Sequence, residues 1–268
     1  MSGTLYLLPN RIAERPVVET IPQRTLEVLR QTRVFLAENA KSARAYLKAA
    51  EHPGPIAELA IIEIGHEPDA NQIEDWLKPL YDGQDVAIVS ESGCPGVADP
   101  GATIVAKAQD LGLTVKPLVG PSSILLALMA SGLDGQHFRF LGYLPIKEPE
   151  RTKALQASEH QSARGETQIF IETPYRNTAF LEFLTTTLRP DTRITVAQDI
   201  TGEGEWIRTK EAQAWKKDMP TLAKCPTIFA ILAREVKAHA QGHREHAPAK
   251  KKPFIKKGSR TGDFWRKA

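Results

Sequence analysis

Residues 86–101 read VAIVSESGCPGVADPG, and this stretch indicates the fold class of the chain. The apolar run Val86–Val89 leads directly into a loop rich in glycine and proline, after which apolar residues recur with the spacing of one buried helix face. A buried strand, a short loop and an amphipathic helix form one β–α unit of a parallel sheet. Loops at the carboxyl ends of such strands often hold ligands, although a tight connection without a ligand is an equal alternative here.

The same alternation continues on both sides of this unit. It predicts strands at Thr4–Leu8, Val34–Ala37, Ala60–Ile64, Asp85–Ser90, Thr114–Leu118, Phe138–Leu144, Thr167–Glu172, Arg193–Ile200 and Thr227–Ala233. It predicts helices at Pro22–Gln31, Lys41–Ala50, Ala70–Tyr81, Ala102–Leu111, Ile124–Ser131, Asn177–Leu188 and Lys210–Lys217. We therefore predict an α/β protein with lobes at residues 1–118 and 119–236, followed by a flexible basic tail at 237–268.

Composition indicates a globular protein of the reducing cytoplasm. The chain has 268 residues, of which 41% are hydrophobic and 25% charged, so it can bury a sizeable core. Its two cysteines, Cys94 and Cys225, form no CxxC motif, which speaks against a zinc site or a disulfide framework. The N-terminal residues lack a signal-peptide pattern, and the longest apolar run, Ile124–Ala130, is too short to span a membrane.

The tail has a composition typical of RNA binding. Residues 248–268 contain eight Lys or Arg and one Asp, and the cations of Lys250–Lys267 are interleaved with Phe254, Phe264 and Trp265. Cations meet phosphates and aromatic rings stack on bases, although a simple solubilising extension is the alternative. His239, His243 and His246 have helical spacing, but solvated histidines are a better interpretation than a metal site.

Three further segments are candidates for ligand binding. Residues 119–123 read VGPSS and precede an apolar helix, so they form either an anion-binding helix start or an ordinary cap. Glu172 ends a predicted strand and either binds a ribose hydroxyl or an amino group, or forms a salt bridge. Residues 202–205 read GEGE, but Ile207 stands where a dinucleotide-binding fingerprint needs its third glycine, so we reject that interpretation.

Taken in order, these segments resemble the tetrapyrrole methylase superfamily, most closely its branch of ribosomal RNA small-subunit 2′-O-methyltransferases. The resemblance covers about residues 3–233 and depends on VSESGCPGVADPG, LVGPSSILLALMASGL, FLGYLP, FIETPYR, and QDIT with the following EWIRT. It implies two α/β lobes, with a mostly parallel N-terminal sheet and a mixed C-terminal sheet. It also implies a homodimer that binds S-adenosylmethionine between its lobes.

The resemblance also assigns roles to individual residues. Ten positions are expected to contact the cofactor: Pro9, Gly93, Cys94, Val97, Ser122, Ser123, Glu172, Thr173, Pro226 and Thr227. Glu91 and Asp99 are candidates for a general base, although each also suits a structural role, with Asp99 capping the helix after Pro100. Methyl transfer from a sulfonium needs no metal, and none is expected.

Two segments depart from the RNA-modifying branch. Leu8–Ala13 reads LPNRIA where the branch has Thr-Pro-Ile-Gly-Asn-Leu, and Glu38–Lys41 reads ENAK where it has Glu-Asp-Thr-Arg. Both departures lie in the lobe expected to meet the substrate. The cofactor half is thus preserved and the substrate half rewritten, so the resemblance supports a methyltransferase more strongly than a ribosomal RNA ribose methyltransferase. We predict a methyltransferase acting on RNA, with the ribose 2′-oxygen of ribosomal RNA as the preferred acceptor. The alternatives are a methyltransferase for a protein or a small molecule such as a tetrapyrrole, and a non-catalytic RNA-binding or assembly factor on a methylase scaffold.

Overall fold

The first five strands form a parallel sheet. The computed structural model describes residues 2–234. The strands of the first sheet are β1 (Thr4–Leu8), β2 (Val34–Ala37), β3 (Ala60–Glu63), β4 (Val86–Val89) and β5 (Thr114–Pro117). Their order is β3-β2-β4-β1-β5, and every pairing is parallel. β4 and β1 therefore lie side by side at the centre, and their carboxyl ends open on the same edge.

Helices cover both faces of this sheet, as a parallel sheet requires. They are α1 (Val17–Thr20), α2 (Gln23–Gln31), α3 (Ala40–Ala49), α4 (Ile73–Tyr81) and α5 (Gly101–Asp110). Leu77 of α4 and Ile104 of α5 lie in the core on one face, while Leu29 of α2 and Leu47 of α3 lie in the core on the other. Because both faces are buried, β4 carries the uninterrupted apolar sequence VAIV.

The remaining strands form a mixed sheet. They are β6 (Phe138–Tyr143), β7 (Thr167–Glu172), β8 (Arg193–Gln198), β9 (Trp206–Glu211) and β10 (Thr227–Leu232), in the order β6-β7-β10-β8-β9. Only the β6–β7 pairing is parallel in this sheet as described; the others are antiparallel. The predicted fold class, α/β with a parallel first sheet and a mixed second sheet, is thus confirmed.

In the described part of the chain, four helices pack on the second sheet. They are α6 (Ser123–Ser131), α7 (Glu150–Ser162), α8 (Asn177–Thr187) and α9 (Ala212–Lys217). One face of the sheet packs against α7, α8 and α9, and the other packs against α6. Ile12, which follows β1, joins the core on the α6 side, so the end of the first sheet contacts the second.

Two elements of the second half differ from the prediction. The helix predicted at Lys210–Lys217 begins at Ala212, because Lys210 and Glu211 belong to β9, a half-exposed edge strand that was not predicted. Helix α7 was also not predicted, since its sequence is polar and only Leu155, Ser158 and Ser162 are buried. The 237–268 segment, with its histidines and Lys250–Lys267, lies outside the described residues. Within residues 2–234, no helix has both the length and the apolar character needed to cross a membrane.

Candidate functional site

The loop after β4 is held together by its own backbone amides. Gly93 and Gly96 have positive φ angles of 71° and 79°, which glycine adopts without strain. Asp99 Oδ1 accepts hydrogen bonds from the amide of Gly96, at 3.0 Å, and from that of Gly101, at 2.8 Å. A Cβ at Gly101 would lie 2.8 Å from the same oxygen, so only glycine allows Asp99 to approach this closely. The geometry of Asp99 favours its structural role over that of a base.

The segment after β1 is anchored to the same loop. Asn10 and Gly93 form a pair of backbone hydrogen bonds of 2.9 and 3.2 Å. The buried Asn10 side chain donates to the carbonyl oxygens of Ser90 and Glu91, each at 3.1 Å. The Tyr46 hydroxyl donates to the Pro9 carbonyl at 2.8 Å, and burial raises the pKa of Tyr46, so this donor stays protonated. Asn10 was not among the predicted site residues, yet its hydrogen bonds hold the segment after β1 against the loop after β4.

The start of α6 meets this loop from the second half of the chain. Ser122 is the N-cap of α6, and its hydroxyl accepts from the Leu125 amide at 3.4 Å. The Ser122 side chain therefore caps the helix, which is the alternative that the sequence left open for this segment. The Cys94 thiol contacts the Pro121 carbonyl at 3.5 Å, and burial raises the pKa of Cys94. Gly120 allows Pro9 to approach, since a Cβ there would lie 2.2 Å from the Pro9 Cβ.

The end of β7 supplies a carboxylate with one occupied and one open oxygen. Glu172 Oε1 accepts from the Thr173 amide at 2.6 Å and from Arg176 Nη2 and Nε at 2.7 and 3.1 Å. Among the described residues, no donor contacts Oε2 of this carboxylate. The side chain is 9% exposed and lines a cavity, so Oε2 is free to accept a hydrogen bond from a ligand. The predicted salt bridge and the predicted ligand contact are thus compatible.

The start of β10 is held by a buried amide network. Asn177 Nδ2 donates to the carbonyls of Ala223 and Cys225 and to Thr227 Oγ1, at 3.0, 2.9 and 2.8 Å. Gln198 Nε2 contacts Ala223 O at 3.1 Å and Thr227 Oγ1 at 3.3 Å. The network fixes Thr227 and the loop before it where they border the cavity.

These loops enclose an apolar cavity of about 360 Å³ between the two sheets. Five of the ten predicted cofactor residues line it: Val97, Ser123, Glu172, Pro226 and Thr227. The other five do not line the cavity themselves, but they lie in the same segments as residues that do: Pro9, Gly93, Cys94, Ser122 and Thr173. Sequence reasoning missed the apolar lining, which is Ile12, Ile124, Phe140, Tyr143, Ile171, Ile200 and Ile228. The strand-end positions of Ile171 and Ile228 were the available signal.

A second cavity of about 460 Å³, lined mostly by polar and charged residues and called here the polar cavity, adjoins the first. Ile12, Ser92 and Pro226 line both cavities, so the two share a wall. The polar cavity is otherwise lined by Asn10, Arg11, Ala13, Glu14, Ser42, Ala45, Tyr46, Glu91 and Asp199. Residues 10–13, one of the two departures from the RNA-modifying branch, thus form part of its wall.

Glu91 is one of three carboxylates that line the polar cavity, together with Glu14 and Asp199. It precedes Ser92 directly, and its Oε1 accepts a hydrogen bond from Ser42 Oγ at the start of α3. Close by, burial raises the pKa of Glu38. The charge of His66 lowers this pKa, whereas the carboxylates of Glu91 and Asp99 raise it further. Within residues 2–234, no group of three His, Cys, Asp or Glu side chains is arranged to hold a metal ion.

Comparison with known proteins gives consistent matches. The family model described as "Tetrapyrrole (Corrin/Porphyrin) Methylases" matches residues 18–214. "Ribosomal RNA small subunit methyltransferase I" of Escherichia coli O157:H7 is 33% identical over 232 residues, which cover 85% of this chain and 77% of that protein. The Bacillus subtilis (strain 168) protein of the same name is 33% identical over 76% of this chain and 65% of its own length.

Solved structures share the fold at low sequence identity. The methyltransferase CobJ is 20% identical, with a TM-score of 0.57 over 88% of this chain and 98% of its own. Uroporphyrin-III C-methyltransferase from Thermus thermophilus, solved in complex with S-adenosylhomocysteine, is 15% identical, with a TM-score of 0.54 over 86% of this chain and 97% of its own. At these identities the likeness establishes the fold alone.

Proposed function

Since the chain belongs to the tetrapyrrole methylase family, we propose that it transfers a methyl group from S-adenosylmethionine to small-subunit ribosomal RNA, with a ribose 2′-oxygen as acceptor. Membership makes the chain a methyltransferase with S-adenosylmethionine as its methyl donor. The observation that carries the proposal is the apolar cavity with a polar cavity beside it, joined at Ile12, Ser92 and Pro226.

The apolar cavity fits a nucleoside cofactor. Its volume of about 360 Å³ lies in the range of small-ligand sites, and its isoleucine side chains suit a flat purine ring. Glu172 Oε2 offers an acceptor for hydroxyl or amino groups, and the first turn of α6, at Ser123, offers amide donors for a carboxylate. When bound, S-adenosylmethionine supplies a methyl group already activated on a positively charged sulfur.

The polar cavity is the proposed acceptor site. Its junction with the apolar cavity brings an acceptor close to the donor, and good alignment of two reactants is worth about 7–11 kcal/mol of the barrier. Glu91 is the proposed general base, because it lines the acceptor cavity one residue before Ser92, which lines both. Such a base contributes about 10²–10⁴-fold for a weak nucleophile like a hydroxyl. Asp99 suits this role less well, since it does not line the polar cavity and two backbone amides hold its Oδ1.

Ribosomal RNA is the proposed acceptor because the two relatives above carry that substrate in their names. The basic tail at Lys250–Lys267 supports an RNA partner by its composition. An acceptor in ribosomal RNA would require the protein to work in the cytoplasm, as the sequence predicts. A tetrapyrrole acceptor is the alternative that the CobJ likeness brings forward, but that likeness concerns the fold only.

We also propose a lobe boundary near residue 118. Within residues 2–234, every strand up to Pro117 belongs to the first sheet, and every strand from Phe138 onward belongs to the second. Because α6 packs on the second sheet, the change of lobe falls between β5 and α6.

The proposed homodimer has an apolar surface available on α6. Leu125 and Met129 lie one helical turn apart and are 50% and 79% exposed, and Val119, just before the helix, is 73% exposed. An apolar surface of this kind is typical of an interface. A second copy is the proposed occupant, because two-fold dimers pair identical patches. Light scattering of the Met129→Glu variant is expected to report a monomer where the unaltered chain reports a dimer.

Transfer of a radiolabelled methyl group tests the proposed activity. The full chain would be incubated with labelled S-adenosylmethionine and, separately, with small ribosomal subunits, naked small-subunit RNA, a porphyrin precursor and bulk protein. We expect label in ribosomal RNA, at a ribose whose 3′ phosphodiester resists alkaline hydrolysis. Label only in the porphyrin or the protein would overturn the substrate, and cofactor binding without transfer to any acceptor would favour a non-catalytic RNA-binding factor.

A further inference from the structure

The outer face of α3 carries three cations that line neither the apolar nor the polar cavity. Lys41, Arg44 and Lys48 are all exposed and occupy positions i, i+3 and i+7, which share one side of a helix. We propose that this basic face of α3 binds the phosphates of the RNA strand whose nucleotide enters the polar cavity. The inference rests on the proposed function, since it names where that substrate is held.

The three cations have no competing carboxylates. Helix α3 contains no Asp or Glu, and among the described residues no carboxylate forms an ion pair with Lys41, Arg44 or Lys48. Two nearby arginines, in contrast, are paired with carboxylates. Arg11 pairs with Glu14 at 3.2 Å, and Arg30 pairs with Glu51 at 3.6 Å. A phosphate would therefore displace an existing partner at those arginines but not on α3.

The same helix borders the proposed acceptor site. Its inner side gives Ser42, Ala45 and Tyr46 to the lining of the polar cavity. Ala49, one turn after Ala45, lines a further groove of about 380 Å³ that shares Arg11 and Glu14 with the polar cavity. A strand lying along α3 would thus pass the cavity mouth on its way into this groove.

Charge separates the places suited to phosphate and to nucleoside. Three carboxylates, Glu14, Glu91 and Asp199, line the polar cavity against one cation, Arg11, which is paired with Glu14. The net negative charge repels a phosphate inside the cavity, whereas a ribose or base is neutral. The cations on the outer face attract the phosphates that must remain outside. Lys41 and Lys48 are about 10 Å apart along the helix axis, which is the length of about three stacked nucleotides.

Removal of the three charges tests the basic face of α3. The variant Lys41→Ala/Arg44→Ala/Lys48→Ala keeps the helix, because alanine is the best helix former. The matched control, Lys153→Ala/Lys216→Ala/Lys217→Ala, removes three exposed lysines from α7 and α9 on the second sheet. Both would be made in the full chain with its tail intact. Filter binding would measure their affinity for in-vitro transcribed small-subunit ribosomal RNA over a salt series, with S-adenosylhomocysteine present.

Loss of three phosphate contacts has a defined salt signature. The slope of log affinity against log salt is expected to fall by about 2 in the α3 variant, from about 0.7 per phosphate. Between about 50 and about 200 mM salt, that variant should lose roughly 20-fold less affinity than the unaltered chain. The control should retain the unaltered slope, and both variants should bind S-adenosylmethionine normally in calorimetry.

The two proposals fail in different ways. Equal salt slopes for the α3 variant, the control and the unaltered chain would overturn the phosphate-binding role of α3 while leaving methyl transfer intact. An unaltered chain that does not bind this RNA would overturn it as well. An unaltered chain that binds no S-adenosylmethionine would instead refute the proposed function.

Discussion

Replacing Asn177 with alanine tests whether the buried amide network holds the loop before β10. Asn177 is 1% exposed, and its amide nitrogen contacts three acceptors, of which its two hydrogens can serve two at a time. Each carbonyl it serves has one other donor, since Gln198 Nε2 contacts Ala223 O and the Thr227 hydroxyl contacts Cys225 O at 3.0 Å. The variant therefore loses two hydrogen bonds but leaves neither carbonyl bare.

This sharing of donors sets the expected size of the effect. Two net hydrogen bonds are worth about 0.5–1.5 kcal/mol each, so the free energy of unfolding should fall by about 1–3 kcal/mol. Two bare buried carbonyls would instead cost about 1–3 kcal/mol each, or up to about 6 kcal/mol together. Cofactor affinity should also fall, because Thr227 lines the apolar cavity and loses one of its partners.

Urea unfolding of Asn177→Ala would measure this effect, with Gln156→Ala as the control because Gln156 is exposed on α7. The control is expected to stay within about 0.5 kcal/mol of the unaltered chain. A loss below about 0.5 kcal/mol for Asn177→Ala would refute the role of the network. A loss near about 6 kcal/mol would refute the sharing of donors with Gln198 and Thr227.

Three further predictions concern the first sheet. Asp99→Ala removes the acceptor of two loop amides and should cost about 2–6 kcal/mol in urea unfolding if both stay buried, together with weaker cofactor binding in calorimetry; retention of both properties would contradict the structural role. Tyr46→Phe leaves the Pro9 carbonyl without its donor and should lower the midpoint of thermal unfolding by the equivalent of about 1–3 kcal/mol, whereas an unchanged midpoint would show that the bond contributes nothing. Burial raises the pKa of Glu38 above its ordinary value of 4.5. The folded state therefore binds a proton on this carboxylate more tightly than the unfolded state does. The contribution of Glu38 to the free energy of unfolding falls as pH rises through the folded pKa. Glu38→Gln should therefore flatten the decline of unfolding free energy above pH 4.5, and an identical pH profile would contradict the shift.

The fold was largely predictable because the central strands of its sheets are buried on both faces. The runs at Val86–Val89 and Thr227–Leu232 have no polar residue in their interiors, which is a strong local signal. Helix α7 and strand β9 lack such a signal. The stability of α7 depends on a few buried contacts such as Leu155, and β9 is an edge strand with one half-exposed face.

The site was predictable where local sequence determines it and unpredictable where tertiary packing does. Gly93, Gly96 and Asp99 lie in one short loop, so the turn that they form follows from their spacing, although Asn10 also pairs with Gly93. The apolar lining, in contrast, combines Ile12 from the first sheet with Ile228 from the second, residues far apart in the sequence. Only the packing of the two sheets brings such residues together, and no single segment carries that information.

Calorimetric titration with S-adenosylmethionine tests the cofactor site most directly. Ser123 lines the apolar cavity, so the side chain of Ser123→Trp would fill it, while Gln109→Trp places the same indole on the exposed side of α5 as a control. We expect the unaltered chain and Gln109→Trp to bind S-adenosylmethionine equally, and Ser123→Trp to remain folded without binding it. Equal binding by all three proteins would show that the cofactor lies elsewhere, and no binding by the folded, unaltered chain would contradict its assignment as a methyltransferase.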